Sequence, residues 1–313
     1  MPDPVLEVTD LRKRFADVAA VDGVSFAISE GETYGLLGPN GAGKTTSISM
    51  IAGLLERDSG DVVVVGEPMD TTTVAPKRNV GLVPQDLAIY PDLTGRENLK
   101  FFGKLYGMRG SPLDTRAEEV LEIIGLSDRA DDRADEYSGG MKRRLNIGIG
   151  LLHQPLLLIL DEPTVGVDPQ SRNAILESVE ALSRAGMAVL YTTHYMEEAE
   201  RLCNRVGIID EGRIIAEGTR RELVSRIGQR DRVRVSGTGD LAGAASAAGN
   251  VPGVERATTT DHEVDVLAGD ASRLLPELLT AIAANGMAIS GVEVDEPNLE
   301  AVFLHLTGKA LRD

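Results

Sequence analysis

Residues Thr33–Leu55 read TYGLLGPNGAGKTTSISMIAGLL. The apolar run TYGLL has strand character, and SISMIAGLL has the pattern of a helix. Between them Gly38, Pro39, Asn40, Gly41, Ala42, Gly43, Lys44, Thr45 and Thr46 spell G-x-x-x-x-G-K-[ST]. Glycines there let backbone N–H groups curl around phosphate oxygens, which a Cβ would obstruct. Lys44 supplies positive charge to the β and γ phosphates, and the Thr45 hydroxyl can ligate Mg²⁺. Strand before and helix after separate this cradle from an ordinary glycine turn. ATP and Mg²⁺ are the expected ligands.

Outward from that stretch, short apolar runs alternate with longer helical patterns as far as about residue 216. Strands are predicted at Val5–Thr9, Thr33–Leu37, Asp61–Val65, Val80–Val83, Leu156–Leu160, Ala188–Thr193 and Val206–Asp210. An unbroken run such as LLLIL suits a strand buried on both faces, as in a parallel sheet covered by helices. The fold class is therefore α/β. LLLILDEP places Asp161 and Glu162 at the C-terminal end of such a strand, where open α/β sheets bind ligands. Asp161 can hold the Mg²⁺ shell, and Glu162 is then placed to orient or deprotonate a water attacking the γ-phosphate.

From about residue 86 to 153 helical patterns take over, which predicts a helical subdomain inserted in the core. Leu99, Phe102 and Tyr106 fall at i, i+3 and i+7 there and read as core packing. After about residue 217 the pattern changes to strand–helix–strand–strand–helix–strand, the order of a ferredoxin-like split βαβ unit. The expected domains are 1–217 and 218–313, the second a small α+β accessory or regulatory unit. Its Ala/Gly-rich LAGAASAAGN reads as either a packed helix or a linker.

The 313 residues are ample for two domains, and a hydrophobic content of 42% can supply ordinary cores. The formal charge of −17 argues against general nucleic-acid binding, because phosphate backbones need a basic footprint. With 1 cysteine, Cys203, an internal disulfide and a cysteine metal cage are excluded. The start MPDPVLEVTDLRKRF has no apolar signal core, and no run approaches a membrane span, so a cytoplasmic location is expected.

A second candidate anion site is YSGGMKRRLN, Tyr137–Asn146. Ser138, Gly139 and Gly140 precede a helix predicted at Met141–Leu152, and a helix N-terminus favours an anion. YSGGM, then LLLILDEPTVGVDP, then His194 after AVLYTT, resembles the ABC ATPases over roughly residues 5 to 217. DEPTVGVDP and the terminal PNLEAVFLHLTG look more narrowly like the drug-resistance ATPases, of the daunorubicin/doxorubicin type, that power ABC-2-type exporters.

The resemblance implies that two cassettes, identical copies of this chain, face each other head to tail. Ser138, Gly139 and Gly140 of one copy would then bind the γ-phosphate held by the P-loop of the other. It further implies that Phe15 stacks on adenine, where the family's usual residue is Tyr. Gln85 would touch Mg²⁺ or the attacking water, with DLAIYPDLTGREN behind it sensing the membrane partner. Asp168 would contact the opposite copy, and His194 the γ-phosphate. The usual signature is LSGGQ, and Tyr137 and Met141 replace its outer residues here. Catalysis is thus expected from Glu162, His194 and Gln85, and Mg²⁺ ligation from Thr45, Gln85 and Asp161. The implied function is the ATPase subunit of an exporter at the cytoplasmic face of the membrane, driving integral-membrane permease subunits and moving a drug or lipid-like substrate. The alternatives are a soluble ABC ATPase linked to ribosomes or DNA, or an importer ATPase.

Overall fold

The chain first forms an antiparallel hairpin, β1 (Leu6–Phe15) and β2 (Val18–Ile28), and then turns into the buried strand β3 (Thr33–Leu37). The computed structural model describes residues 3–227, 230–260, 262–295 and 297–308. The expected segments leave that set only at Gly228, Glu296 and the two termini. Contacts divide the chain into one unit of Met1–Arg220 with Leu306–Asp313, and a second of Arg221–His305.

In the first unit, helix α1 (Lys44–Ile51) follows β3, and β4 (Ser59–Val64) and β5 (Glu67–Pro68) return to the hairpin. The antiparallel sheet they complete has the order β2-β1-β4-β5. Strand β6 (Val80–Val83) leads into three helices, α2 (Gly95–Leu105), α3 (Gly110–Ile123) and α4 (Gly139–Leu151). Then come β7 (Leu157–Asp161), α5 (Pro169–Arg184), β8 (Ala188–Thr193), α6 (Met196–Leu202), β9 (Arg205–Asp210) and β10 (Arg213–Gly218).

The central sheet runs β10-β9-β3-β8-β7-β6 and is parallel except for β10. Its middle strands are buried at every residue, and their alternation divides the interior. Leu157, Ile159, Ala188 and Leu190 enter a core shared with α1 and the antiparallel sheet. Leu158, Leu160, Val189 and Tyr191 enter another, shared with α3, α4 and α5. Strands with period-two side chains, apolar on both faces, serve both cores at once.

The helical insertion is where the sequence places it. Thr94 and Glu97 start α2 with a reciprocal capping box, each side chain bonded to the other's amide at 3.1 and 2.9 Å. Leu99 is fully buried, but Tyr106 is a correction. It caps the C-terminus of α2, is 48% exposed, and stacks on His153 with ring centroids 4.2 Å apart. At that position the ring lies against His153 and stays half-exposed. Helix α4 also begins two residues before the predicted Met141. β2, β5 and β10 were not anticipated.

The second unit begins within α7 (Arg220–Arg226) and ends within the last helix. It comprises β11 (Asp231–Gly239), α8 (Leu241–Gly249), β12 (Val254–Thr259), β13 (Glu263–Ala268), α9 (Ala271–Ala284), β14 (Met287–Asp295) and α10 (Leu299–Thr307). The Ala/Gly segment is thus the helix α8, with Asp240 capping it and Ala244, Ala245 and Ala248 buried. The sheet is antiparallel in the order β12-β13-β11-β14. Val233, Val235, Val264 and Val266 face a core with Ala248, Leu278 and Ile282. Among the described residues, no helix is long and apolar enough to cross a membrane.

Candidate nucleotide site

The loop from Gly38 to Gly43 links a buried strand to a helix without a side-chain cap. Gly41 and Gly43 have φ of 82° and 104°, in the left-handed region that glycine adopts without penalty. A Cβ on Gly43 would also collide with the Ala20 carbonyl, so both its conformation and its space require glycine. Asn40, Gly41 and Thr45 are exposed along the loop and the first turn of α1.

Lys44 is only 4% exposed. Its Nζ donates to the carbonyls of Gly38 at 2.7 Å and Pro39 at 3.1 Å, and pairs with Glu162 Oε1 at 3.0 Å. Glu162 Oε2 lies 3.3 Å from His194 Nδ1 and accepts from Gln85 Nε2 at 3.5 Å. Three residues expected in the nucleotide site, Lys44, His194 and Gln85, therefore meet at the carboxylate of a fourth, Glu162. His194 Nδ1 is buried and has no hydrogen-bond partner among the described residues.

Asp161 and Glu162 are set by Thr192 at the end of the neighbouring strand β8. Its hydroxyl donates to Asp161 Oδ1 at 2.7 Å and accepts from the Glu162 amide at 3.0 Å. That bond holds Glu162 at φ 45°, left-handed backbone that costs a non-glycine residue roughly 1–2 kcal/mol. Thr192 was missed in the sequence, where a Thr closing a strand carries no distinctive signal.

The Gln85 segment is tied to α4. Arg143 Nη1 donates to the carbonyls of Gln85 at 2.7 Å and Pro84 at 3.2 Å. Asn146 Oδ1 accepts from the Ala88 amide at 3.1 Å. Burial pulls the Arg143 pKa below the usual arginine value, an effect that nearby Asp86 opposes. Both residues stand in the quoted YSGGMKRRLN, but their inward aim is a property of the fold.

Ser138, Gly139 and Gly140 lie at the N-terminus of α4, and Asp168 at that of α5. Ser138 caps α4 by accepting from the Met141 amide at 3.2 Å, and Ser138 and Gly139 are exposed. The first-turn amides of Gly139 and Gly140 have no acceptor within the helix. Gly140 packs so closely on α5 that a Cβ would collide with Ser171 Oγ. Ser171 in turn donates its amide to Asp168 Oδ1 at 2.9 Å, so Asp168 is the N-cap of α5. Those N-terminal bonds hold the Asp168 carboxyl below the usual carboxylate range. Phe15 is 49% exposed at the end of β1, with Lys13 Nζ 5.7 Å from its ring centroid. It is an available face and not core packing.

The sequence pattern of the ABC transporter family matches residues 21–165. The linearmycin resistance ATP-binding protein LnrL of Bacillus subtilis (strain 168) is 46% identical over 311 residues, which cover 99% of this chain and 100% of that protein. A daunorubicin resistance ATP-binding protein of Streptomyces coeruleorubidus is 38% identical, over 98% of this chain and 97% of that one. A solved ATP-binding subunit of an ABC transporter superposes with a TM-score of 0.64 and 31% identity, covering 72% of this chain and 93% of its own. The chain belongs to the ABC transporter family, as one of its ATP-binding proteins.

Proposed function

We propose that this ATPase is the energy-supplying subunit of an ABC-2-type exporter. Two identical copies close head to tail over two ATP molecules and drive a separate integral-membrane permease from the cytoplasmic face. The observation that carries this reading is the division of the phosphate-binding features. Lys44, Gln85, Glu162 and His194 converge, while Ser138 and Gly139 open α4 at the surface and Gly140 packs on Ser171, whose amide Asp168 caps. A chain with one cradle and one such helix completes a site only with a second copy.

In that site Phe15 stacks on adenine, and Gly38–Gly43 and Lys44 hold the phosphates. Glu162 takes the proton of the attacking water, Gln85 orients that water, and His194 donates to the γ-phosphate. Ser138, Gly139 and Gly140 of the opposite copy bind the γ-phosphate from the far side, and Asp168 fixes the contact between copies. Closure follows because only the closed form gives the γ-phosphate those added contacts. Thr45, Asp161 and Gln85 offer the hard oxygen donors that Mg²⁺ takes, and the ion would neutralise charge on the phosphates.

The division into a nucleotide-binding domain, 1–217, and an accessory domain, 218–313, belongs to the same reading. The second domain is read as ferredoxin-like because its first and third strands lie at the centre of the sheet. Its role is to regulate or brace the pair of cassettes. Unchanged dimerisation and hydrolysis in a chain ending near Gly218 would remove that role. The resistance proteins named above favour efflux of a drug or lipid-like molecule, chosen by the permease.

The test is purification of the tagged Glu162→Gln chain from its own membranes, in mild detergent with ATP. A co-purifying protein with about six membrane-spanning segments, followed by loss of efflux when it is deleted, is expected. Recovery of ribosomes or DNA-bound proteins instead would overturn the export reading.

A further inference from the structure

Glu198, on α6, is a carboxylate only 2% exposed. Its Oε1 accepts from Thr164 Oγ1 at 2.7 Å, and its Oε2 from Tyr191 OH at 3.0 Å and Thr193 Oγ1 at 2.8 Å. Arg172 Nε, on α5, lies 3.5 Å from Oε1. The same guanidinium sits 4.4 Å over the ring of Tyr195, whose centroid is 4.2 Å from that of His194. Thr193 Oγ1 also accepts the Tyr195 amide at 2.9 Å, so the residues on both sides of His194 are anchored.

A lone carboxylate at this depth is costly, and three hydroxyl donors with a guanidinium offset the cost. Thr164, Tyr191 and Thr193 each donate a hydroxyl to Glu198, so each hydroxyl is fixed in orientation. Two hydroxyl-bonded segments and the Arg172 helix meet at this carboxylate, and they are the segments the chemistry needs. Thr164 follows Glu162 by two residues, Thr193 directly precedes His194, and Arg172 lies one turn inside the helix that Asp168 caps. Apolar packing fills space equally well, but it does not register three segments against one another.

We propose that Glu198 is a positioning residue for ATP hydrolysis: it sets His194 against Glu162 and ties that pair to the Asp168 segment. Contact made at Asp168 by the second copy is thereby transmitted to His194. The inference rests on the assignment of His194 to the γ-phosphate.

The test is a double-mutant cycle on the full chain, reading kcat and the KM for ATP. In Glu198→Gln the amide nitrogen neither accepts from Thr164 nor attracts Arg172. The expected result is a kcat about 10- to 100-fold lower with KM within about twofold, because misplacement acts on the transition state and not on binding. In a His194→Ala background the same change is expected to cost nothing further, since Glu198 acts through His194. Wild-type kcat in folded Glu198→Gln, or an undiminished extra loss on top of His194→Ala, overturns the proposal. Should Glu198→Gln not fold, Arg172→Met carries the same cycle, at a side chain 31% exposed, and the same two results decide it. Wild-type turnover in His194→Ala alone rejects the His194 assignment and the inference with it. Slow turnover there with a fast Glu198→Gln rejects only the inference.

Discussion

Helix α1 begins directly after a glycine and α4 at one, and both offer an anion their first turn, yet they are finished differently. At α1 the lysine is buried and already paired with Glu162. At α4 Ser138 caps one amide, and Ser138 and Gly139 are exposed. The first site combines a buried lysine with Glu162, Gln85 and His194, groups able to bind an anion and move a proton. The second offers geometry and a dipole, so it can only complete a ligand presented to it. On the reading proposed above, one chain carries two unequal halves of a site that a second copy completes.

The sharpest break in that comparison comes from Glu162→Gln. Hydrolysis is expected to fall about 10²- to 10⁴-fold, with ATP still bound and the closed pair accumulating. Single-turnover assays and sizing with ATP measure both, and near-normal turnover would move the base elsewhere.

The next test separates the halves. Lys44→Met and Ser138→Arg are each expected to lower hydrolysis by about 10²-fold or more. Mixed and allowed to exchange, the two inactive chains are expected to recover up to about a quarter of wild-type activity. One site of each mixed pair keeps an intact Lys44 and an intact Ser138. A mixture that stays inactive would mean the halves are not shared between copies.

A smaller effect tests the aromatic approach. Phe15→Ala is expected to raise the KM for ATP by the equivalent of about 1–3 kcal/mol, and Phe15→Tyr to leave it within about twofold. Equal KM values in all three chains would remove the stacking role.

The smallest effect concerns the link between the halves. Arg143→Ala strips two carbonyls of their shared donor and is expected to cost about 1–3 kcal/mol of stability, read as a lower denaturation midpoint. Because the Gln85 segment then keeps only its Asn146 bonds to α4, hydrolysis is expected to drop severalfold without loss of ATP binding. A stability loss with unchanged kcat would make Arg143 a packing residue only.

How much of this was readable beforehand depends on the kind of residue. The cradle, β7 and α4 were legible because apolar runs and fixed spacings mark them locally. β10 was missed although Asp210–Arg213 offers a hairpin cue, a tight turn with φ of 48° at Glu211 and 78° at Gly212. Phe15 and His194 were placed by position in a motif order, and the fold then supplied exposure for one and Glu162 for the other. Thr192, Arg143, Asn146 and Glu198 were illegible for a shared reason. Each is a polar residue whose inward aim depends on segments distant in sequence. Glu198 stands in YMEEAE, which reads as a solvated helix face, until Thr164 and Arg172 are brought over it.

The pairing of Lys44 with Glu162 also gives the proposed function an order of events. Lys44 Nζ lies 3.0 Å from Glu162 Oε1, so a phosphate held in the cradle would compete with that carboxylate for the same ammonium. On the proposed reading the arrangement is an interlock: the substrate would first have to draw Lys44 away, and only then would Glu162 be released to face water.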